Sequence, residues 1–239
     1  MNIVAIDTAT DRFSVALASD CGDTWLFEAD AGMRHSELVM ECIDMLVGKA
    51  GLTPGDLGGV ACMGGPGSFT GLRIGFSLAK GLALSLGIPF APIPTLDCLA
   101  RPLSSWPGIV VPVLDAKKKS FFCAPYRDGK RIGPDMDATP REIALALADK
   151  LSPGTEHTLL FGPGAEMLYR TLDDDGTGAN LRLGKGLPRG NAETLLEIAI
   201  ETRLFAEDGR AEIGEALLAG PEYIRKSDAE LNLGPVSGP

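Results

Sequence analysis

Apolar residues open the chain as one continuous run, Ile3-Val4-Ala5-Ile6, that stops at Asp7. Thr8 to Arg12 is polar and predicts a turn. Beyond it Phe13, Val15 and Leu17 alternate with Ser14, Ala16 and Ala18, the two-residue period of a half-buried strand. A third alternating run, Trp25 to Ala29, follows Gly22-Asp23 and completes a three-strand meander. Helical patterns are predicted over His35–Val47, ending before Gly48, and over Thr70–Leu86, ending at Gly87. Between them Leu57–Met63 reads as a strand that leads into Gly64-Gly65-Pro66-Gly67.

The second half repeats this order. Ile109 to Leu114 is apolar and ends at Asp115, Ala116–Lys119 is polar, and Ser120–Arg127 is strand-like before Asp128-Gly129. Thr158–Phe161 then leads into Gly162-Pro163-Gly164 and a further helical pattern, and Asn191 caps a helix expected to reach about Ala206. The repetition predicts two α/β lobes, residues 1–103 and 108–239, meeting at Pro102–Pro107, with the last helix free to pack back on the first lobe. The Gly- and Pro-rich tail, Glu230–Pro239, is expected to fray.

Charge narrows the function classes. A formal net charge of −10 is unlike that of a chain that grips nucleic acid alone, since phosphate contacts need a basic face. The longest basic run is Lys117-Lys118-Lys119, read as a solvated hairpin turn. The five cysteines are odd in number and widely spaced, which predicts reduced and mostly buried thiols rather than disulfides or a zinc ribbon. The N-terminus carries no targeting signal, and no apolar run is long enough to span a bilayer.

Two places carry candidate chemistry. Asp7-Thr8 and Asp115-Ala116 stand at equivalent strand ends, where a carboxylate beside a tight turn can hold hydrated magnesium or simply accept hydrogen bonds from its own turn. Gly64 to Arg73 is the most informative segment. A glycine loop before a helix N-terminus suits an anion, yet the spacing matches neither a Walker loop, nor a dinucleotide fingerprint, nor a nucleophile elbow. A structural turn is the stronger reading. The two histidines, His35 and His157, fit no triad spacing.

The two N-terminal helices hold more apolar residues than one sheet face can cover, with Gly71, Gly75, Ala79 and Ala83 at steps of four permitting close helix approach. They are either core helices of a two-layer lobe or a subunit interface; for the latter, Val39, Ile43 and Leu72 are the side chains expected to face outward.

The runs Ile3–Thr8, Arg34–Glu37, Gly65–Gly75 and Val113–Ala116, with Pro221–Arg225, together resemble the TsaB family, the dimerisation subunits of the bacterial tRNA threonylcarbamoyladenosine biosynthesis complex. The resemblance spans most of residues 1–125 and returns near 221. It implies two ribonuclease-H-like lobes of the actin, sugar-kinase and chaperone ATPase superfamily. It implies a cytoplasmic, non-catalytic subunit without cofactor or metal. Its partners are a catalytic paralogue and a small ATPase subunit, with tRNA held mainly through them; alone, the chain is expected to form a homodimer. The modified base is the adenosine following the anticodon. The catalytic relative carries two metal-binding histidines four apart, whereas here His35 is followed by Val39. Pairing through the first two helices is implied, with Val39, Ile43, Leu46, Leu72, Phe76 and Leu78 at the interface. Asp7, Thr8, Gly65, Gly67 and Asp115 then mark a vestigial phosphate or nucleotide site. The rival readings are a small-molecule kinase of the same fold, using Asp7 and Asp115 around magnesium nucleotide, and a metal-dependent protease or hydrolase.

Overall fold

The computed structural model describes residues 1–10, 12–30, 35–148, 157–174, 180–185, 189–205, 218, 220–222 and 224. The 227–239 tail and the side chain of His35 lie outside them. The predicted meander is β1 (Asn2–Asp7), β2 (Arg12–Ala18) and β3 (Thr24–Asp30), antiparallel throughout. β4 (Leu57–Gly65) pairs in parallel with β1, and β5 (Phe90–Pro94) in parallel with β4. The sheet order is therefore β3-β2-β1-β4-β5.

The second lobe repeats it. β6 (Gly108–Asp115) pairs antiparallel with β7 (Phe121–Cys123), β7 antiparallel with β10 (Met136–Ala138), and β11 (His157–Phe161) runs parallel between β6 and β12 (Leu181–Leu183). The path β10-β7-β6-β11-β12 has the same sequence of antiparallel and parallel steps as the first lobe. The internal duplication predicted from the sequence is thus present in the topology, as two ribonuclease-H-like sheets. The expected Ser120–Arg127 strand is broken, however, into β7 and β8 (Tyr126–Arg127). Pro125 lies at the break, where it has no N–H to give a ladder. β8 pairs with β6 and with β9 (Lys130–Arg131).

Both sheets are covered on both faces, which is why their central strands read as near-continuous apolar runs. On one face of the first sheet Val4, Ile6, Val15, Leu17, Val60 and Cys62 meet α1 (His35–Lys49) and α2 (Phe69–Leu86). On the other, Ile3, Ala5, Ala16 and Ala61 meet α6 (Ala192–Glu201). In the second lobe α4 (Pro140–Ala148) and α5 (Ala165–Asp174) cover one face, and α3 (Thr95–Ala100) supplies Leu96, Leu99 and Ala100 to the other. The lobes therefore exchange helices. α3 follows the first sheet in sequence and packs on the second; α6 follows the second and packs on the first.

Two helix ends differ from expectation. α1 passes through Gly48 and stops at Gly51, whose φ of 70° lets Leu52 N–H reach back to Val47 O at 3.0 Å. Gly48 is exposed with open space around it, so nothing there requires a stop. α6 ends at Glu201, short of Ala206, with Arg203 left-handed at φ 51°. Gly87 does end α2, at φ 66°.

Candidate functional site

Asp7 is fully buried at the end of β1. Its Oδ1 accepts the Ala9 N–H at 3.0 Å, as the turn reading expects. Its Oδ2 accepts both the main-chain N–H and the side-chain amide of Asn191, each at 2.9 Å. The Asn191 side chain, expected to cap its own helix, makes no cap hydrogen bond and is turned to Asp7 instead. Next to it Ala192 N–H donates to Ser14 Oγ at 3.1 Å. The start of α6 is thus pinned onto the β1–β2 turn.

The glycine-rich segment closes on the same turn. Ser68 caps α2, accepting from Gly71 N–H at 3.3 Å, and its own N–H donates to Ala9 O at 2.8 Å. Thr8 is buried and donates to Gly71 O at 2.7 Å. A Cβ on Gly71 would lie 1.9 Å from Thr8 O, and one on Gly67 would lie 2.7 Å from Ala9 O. The small residues at the start of α2 therefore permit approach of the β1–β2 backbone, not of another helix. On the far side Glu222 N–H donates to Gly64 O at 2.8 Å, and Gly65, at φ 114°, has no room for a Cβ beside Glu222 O, 2.3 Å away. Sequence reading took Asn191 for a helix cap and did not foresee either of these long-range partners. The local pattern holds no signal for them, although Pro221–Arg225 was already marked by the family resemblance.

Asp115, at the equivalent place in the second lobe, holds a different turn. Its carboxylate accepts from Lys117 N–H at 2.7 Å and Lys117 Nζ at 2.8 Å. Burial alone would raise its pKa, but the hydrogen bonds and charge of Lys117 outweigh that and hold it below the usual carboxylate value. Asp7 and Asp115 are equivalent in topology, yet Asp7 is engaged by the start of α6 and Asp115 by its own turn.

Between the lobes lies a cleft of about 650 Å³ lined by Thr10, Arg12, Phe161, Gly162, Arg189 and Glu193 among others. Polar contacts also tie α3 to the β8–β9 hairpin of the second lobe. Tyr126 Oη donates to Asp97, Arg131 donates to Asp97 at 2.6 Å and pairs with Asp135, and the guanidinium lies 5.1 Å from the Tyr126 ring centroid. Burial and the Asp97 carboxylate raise the Tyr126 phenol well above its ordinary pKa, so it serves as a donor.

The side chains expected at a subunit interface are mostly elsewhere. Val39, Ile43, Leu46 and Phe76 are buried in the core between α1, α2 and the first sheet, Leu72 is buried on the α6 side, and Leu78 is half-buried. The core reading holds for these five. The apolar groups that remain on α1 and α2 are Met40 and Met45, each 42% exposed, and Leu84, 67% exposed. Among the described residues no group of three or more His, Cys, Asp or Glu is placed to hold a metal ion, and no helix is long and apolar enough to cross a membrane.

Comparison with known proteins gives this geometry a family. The model of the family described as "TsaD: tRNA N6-adenosine threonylcarbamoyltransferase" matches residues 29–165. The tRNA threonylcarbamoyladenosine biosynthesis protein TsaB of Escherichia coli strain K12 is 34% identical over 238 residues, covering 96% of each chain. The chain belongs to the TsaB family. TsaB of Bacillus subtilis strain 168 is 27% identical over 236 residues, again 96% of each chain. YeaZ from Pseudomonas aeruginosa shares the fold, with a TM-score of 0.72 at 23% identity over 93% of this chain and 99% of that one. Family membership places the chain among tRNA threonylcarbamoyladenosine biosynthesis proteins.

Proposed function

We propose that the chain is the non-catalytic partner subunit for N6-threonylcarbamoylation of the adenosine following the anticodon in tRNA, acting by binding and supporting a catalytic paralogue of its own fold. The observation that carries this is the saturation of Asp7. The carboxylate best placed for a magnesium nucleotide holds the start of α6, and the β1–β2 turn beside it is packed by Gly67, Gly71 and Ser68. The interior of the old site is used as structure, which speaks against the kinase reading. Helix exchange and the Asp97–Tyr126–Arg131 bridge tie the lobes together, as suits a scaffold better than a cleft that must close on substrate.

The pairing surface is the outer face of α1 and α2, where Met40, Met45 and Leu84 stand exposed. Alone, this face forms a two-fold homodimer; in the working complex the paralogue replaces one copy, a small ATPase joins, and tRNA is held mainly by the partners. The test is genetic and biochemical together. In cells whose own TsaB is depleted, this chain should restore the modified adenosine, measured by mass spectrometry of digested tRNA, and should bring down the catalytic paralogue. Modification by the purified chain alone, or restoration without paralogue binding, would sink the proposal.

A further inference from the structure

The cleft between the lobes, about 650 Å³, is of the size that holds a small organic molecule or the end of a peptide. One of its walls is α6. Ser14 receives the start of that helix, and Arg12, two residues before it on β2, lies on the same face of the strand. Arg12 stands opposite Asp30 in the β2–β3 register, and Arg189 immediately precedes the turn into α6. The helix start therefore presents two guanidiniums against one carboxylate, beside the positive end of the helix dipole. Along the same wall Glu193 and Glu197 follow, one helical step of four apart. Glu193 gains from the dipole; Glu197, a turn later, does not.

These charges do not neutralise one another. Among the described residues, Arg12, Asp30, Arg189, Glu193 and Glu197 make no ion pair and no side-chain hydrogen bond. Glu201, the next acid on the helix, is by contrast paired with Arg101. Like charges four apart destabilise a helix, so nothing in the fold rewards the unpaired Glu193–Glu197 step. Thr194 stands between the two acids. It is 9% exposed, lines the cleft, and has no hydrogen bond for its hydroxyl among the described residues. Buried hydroxyls ordinarily have partners, and here the cleft is where one would come from.

We infer that the cleft binds a ligand carrying a carboxylate and, about 9 Å along the helix axis from it, a basic group. Arg12 and Arg189 take the carboxylate; Glu193 and Glu197 take the basic group. An α-carboxylate with an arginine or lysine side chain has this chemistry, whether it ends a polypeptide or is the free amino acid. Guanidinium groups bind carboxylates in bidentate fashion, and capture of a terminal carboxylate is a general mode of peptide recognition. The inference stands independently of the tRNA-modification reading above.

The test is a fluorescence-anisotropy titration of the full chain with N-terminally labelled Gly-Ala-Ala-Arg, its C-terminal amide, and Gly-Ala-Ala-norleucine. Wild type should saturate with the first at a Kd below about 1 mM and bind the other two at least about tenfold more weakly, as loss of one charged contact requires. R189Q should shrink the difference between acid and amide by at least about threefold and leave the difference between arginine and norleucine. E197Q should do the reverse, and D173N, exposed on the last turn of α5, should match wild type. Unlabelled L-arginine separates the sources. Displacement at matching concentration identifies a free amino acid, and displacement only by peptide acids identifies a polypeptide end; each supports the shared chemistry. Lack of saturation by about 1 mM overturns the proposal, as does equal binding of acid and amide by wild type. Differences that survive unchanged in both R189Q and E197Q place the peptide elsewhere and overturn it too. Circular dichroism confirms folding, and the comparison of the three peptides on wild type decides even where a variant fails to fold.

Discussion

Asp7 and Asn191 are 184 residues apart in sequence, and the carboxylate of the first accepts both N–H groups of the second at 2.9 Å. The pair joins the last strand-end residue of the first β-strand to the first turn of the last described helix. It explains how a helix encoded after the second lobe comes to cover the first sheet, and why that helix can begin without a side-chain cap of its own. A negative charge at a helix N-terminus is favourable in its own right, so the carboxylate serves as an external cap. A residue type suited to magnesium has here become part of the fold.

Asp7→Ala should therefore act on stability. Hydrogen bonds to a charged group contribute on the order of 1.5–3 kcal/mol each, and removal of Asp7 leaves the Asn191 donors unsatisfied. A loss of about 3 kcal/mol is expected in urea unfolding, with the midpoint shifted and the slope unchanged. The tRNA modification supported in cells should fall only as far as the folded population falls. A stable Asp7→Ala protein that no longer supports modification would restore a chemical role to this carboxylate.

Two glycines of α2 should respond in opposite directions to alanine. Gly71 has Thr8 O where its Cβ would go, at 1.9 Å, so Gly71→Ala must push the helix from the β1–β2 turn and break the Thr8–Gly71 hydrogen bond. A cost of several kcal/mol, on the order of the overpacking and lost-bond effects combined, is expected. Gly81 is exposed on the same helix with nothing within 4 Å, and Gly81→Ala should stabilise by about 0.5–1 kcal/mol through helix propensity. Thermal unfolding of the two variants checks both signs at once. A neutral Gly71→Ala would mean that the glycine run is not there for close packing.

The fold was largely legible because its signals are local. A continuous apolar run marked β1, alternation marked β2 and β3, the glycine stop marked the end of α2, and repetition of the order apolar run, aspartate, turn marked the second lobe. What the sequence concealed is the direction in which helix faces point. α1 carries apolar residues all round, and periodicity cannot say that Val39, Ile43 and Leu46 face the sheet while Met40 and Met45 face water. Nor can it say that α6 crosses to the other lobe, because the partners of Asn191 and Glu222 are long-range and polar. The glycine segment packs against Thr8, which is 63 residues away from Gly71.

Thiol chemistry offers a simple probe of the exchange between lobes. Cys42, Cys62, Cys98 and Cys123 are buried, and burial pushes the Cys123 thiol up to about 12 and the Cys62 and Cys98 thiols well above their ordinary value. Cys21 is exposed, and its hydrogen bond to Asp20, 3.5 Å away, raises its pKa too. In the native protein Ellman's reagent should titrate Cys21 alone, faster as pH rises because the thiolate is the nucleophile. The remaining four should react only as fast as the protein opens. Rapid modification of Cys98 under native conditions, located by peptide mass spectrometry, would show that the packing of α3 against the first sheet and α6 opens readily, against a rigid scaffold.

The proposed subunit interface gives the sharpest division between core and surface. Sequence reading expected Ile43 to face outward; in the single chain it is buried. Ile43 is 4% exposed among Val39, Leu46 and the sheet, so a carboxylate there is buried without a partner and should unfold the chain. Leu72→Glu should do the same on the α6 side. Met45 and Leu84 are 42% and 67% exposed in the single chain, and glutamate at either is solvated when the chain is alone. In a two-fold contact through α1 and α2 each substitution enters twice, once from each subunit, and is desolvated without a counter-charge. Met45→Glu and Leu84→Glu should thus keep native circular dichroism and unfolding midpoints while running as monomers by light scattering. Both should fail to capture the catalytic paralogue, if the paralogue presents the same helices. Retained dimers in both variants would remove this face from consideration, and loss of the homodimer with paralogue binding intact would mean that the two assemblies use different surfaces.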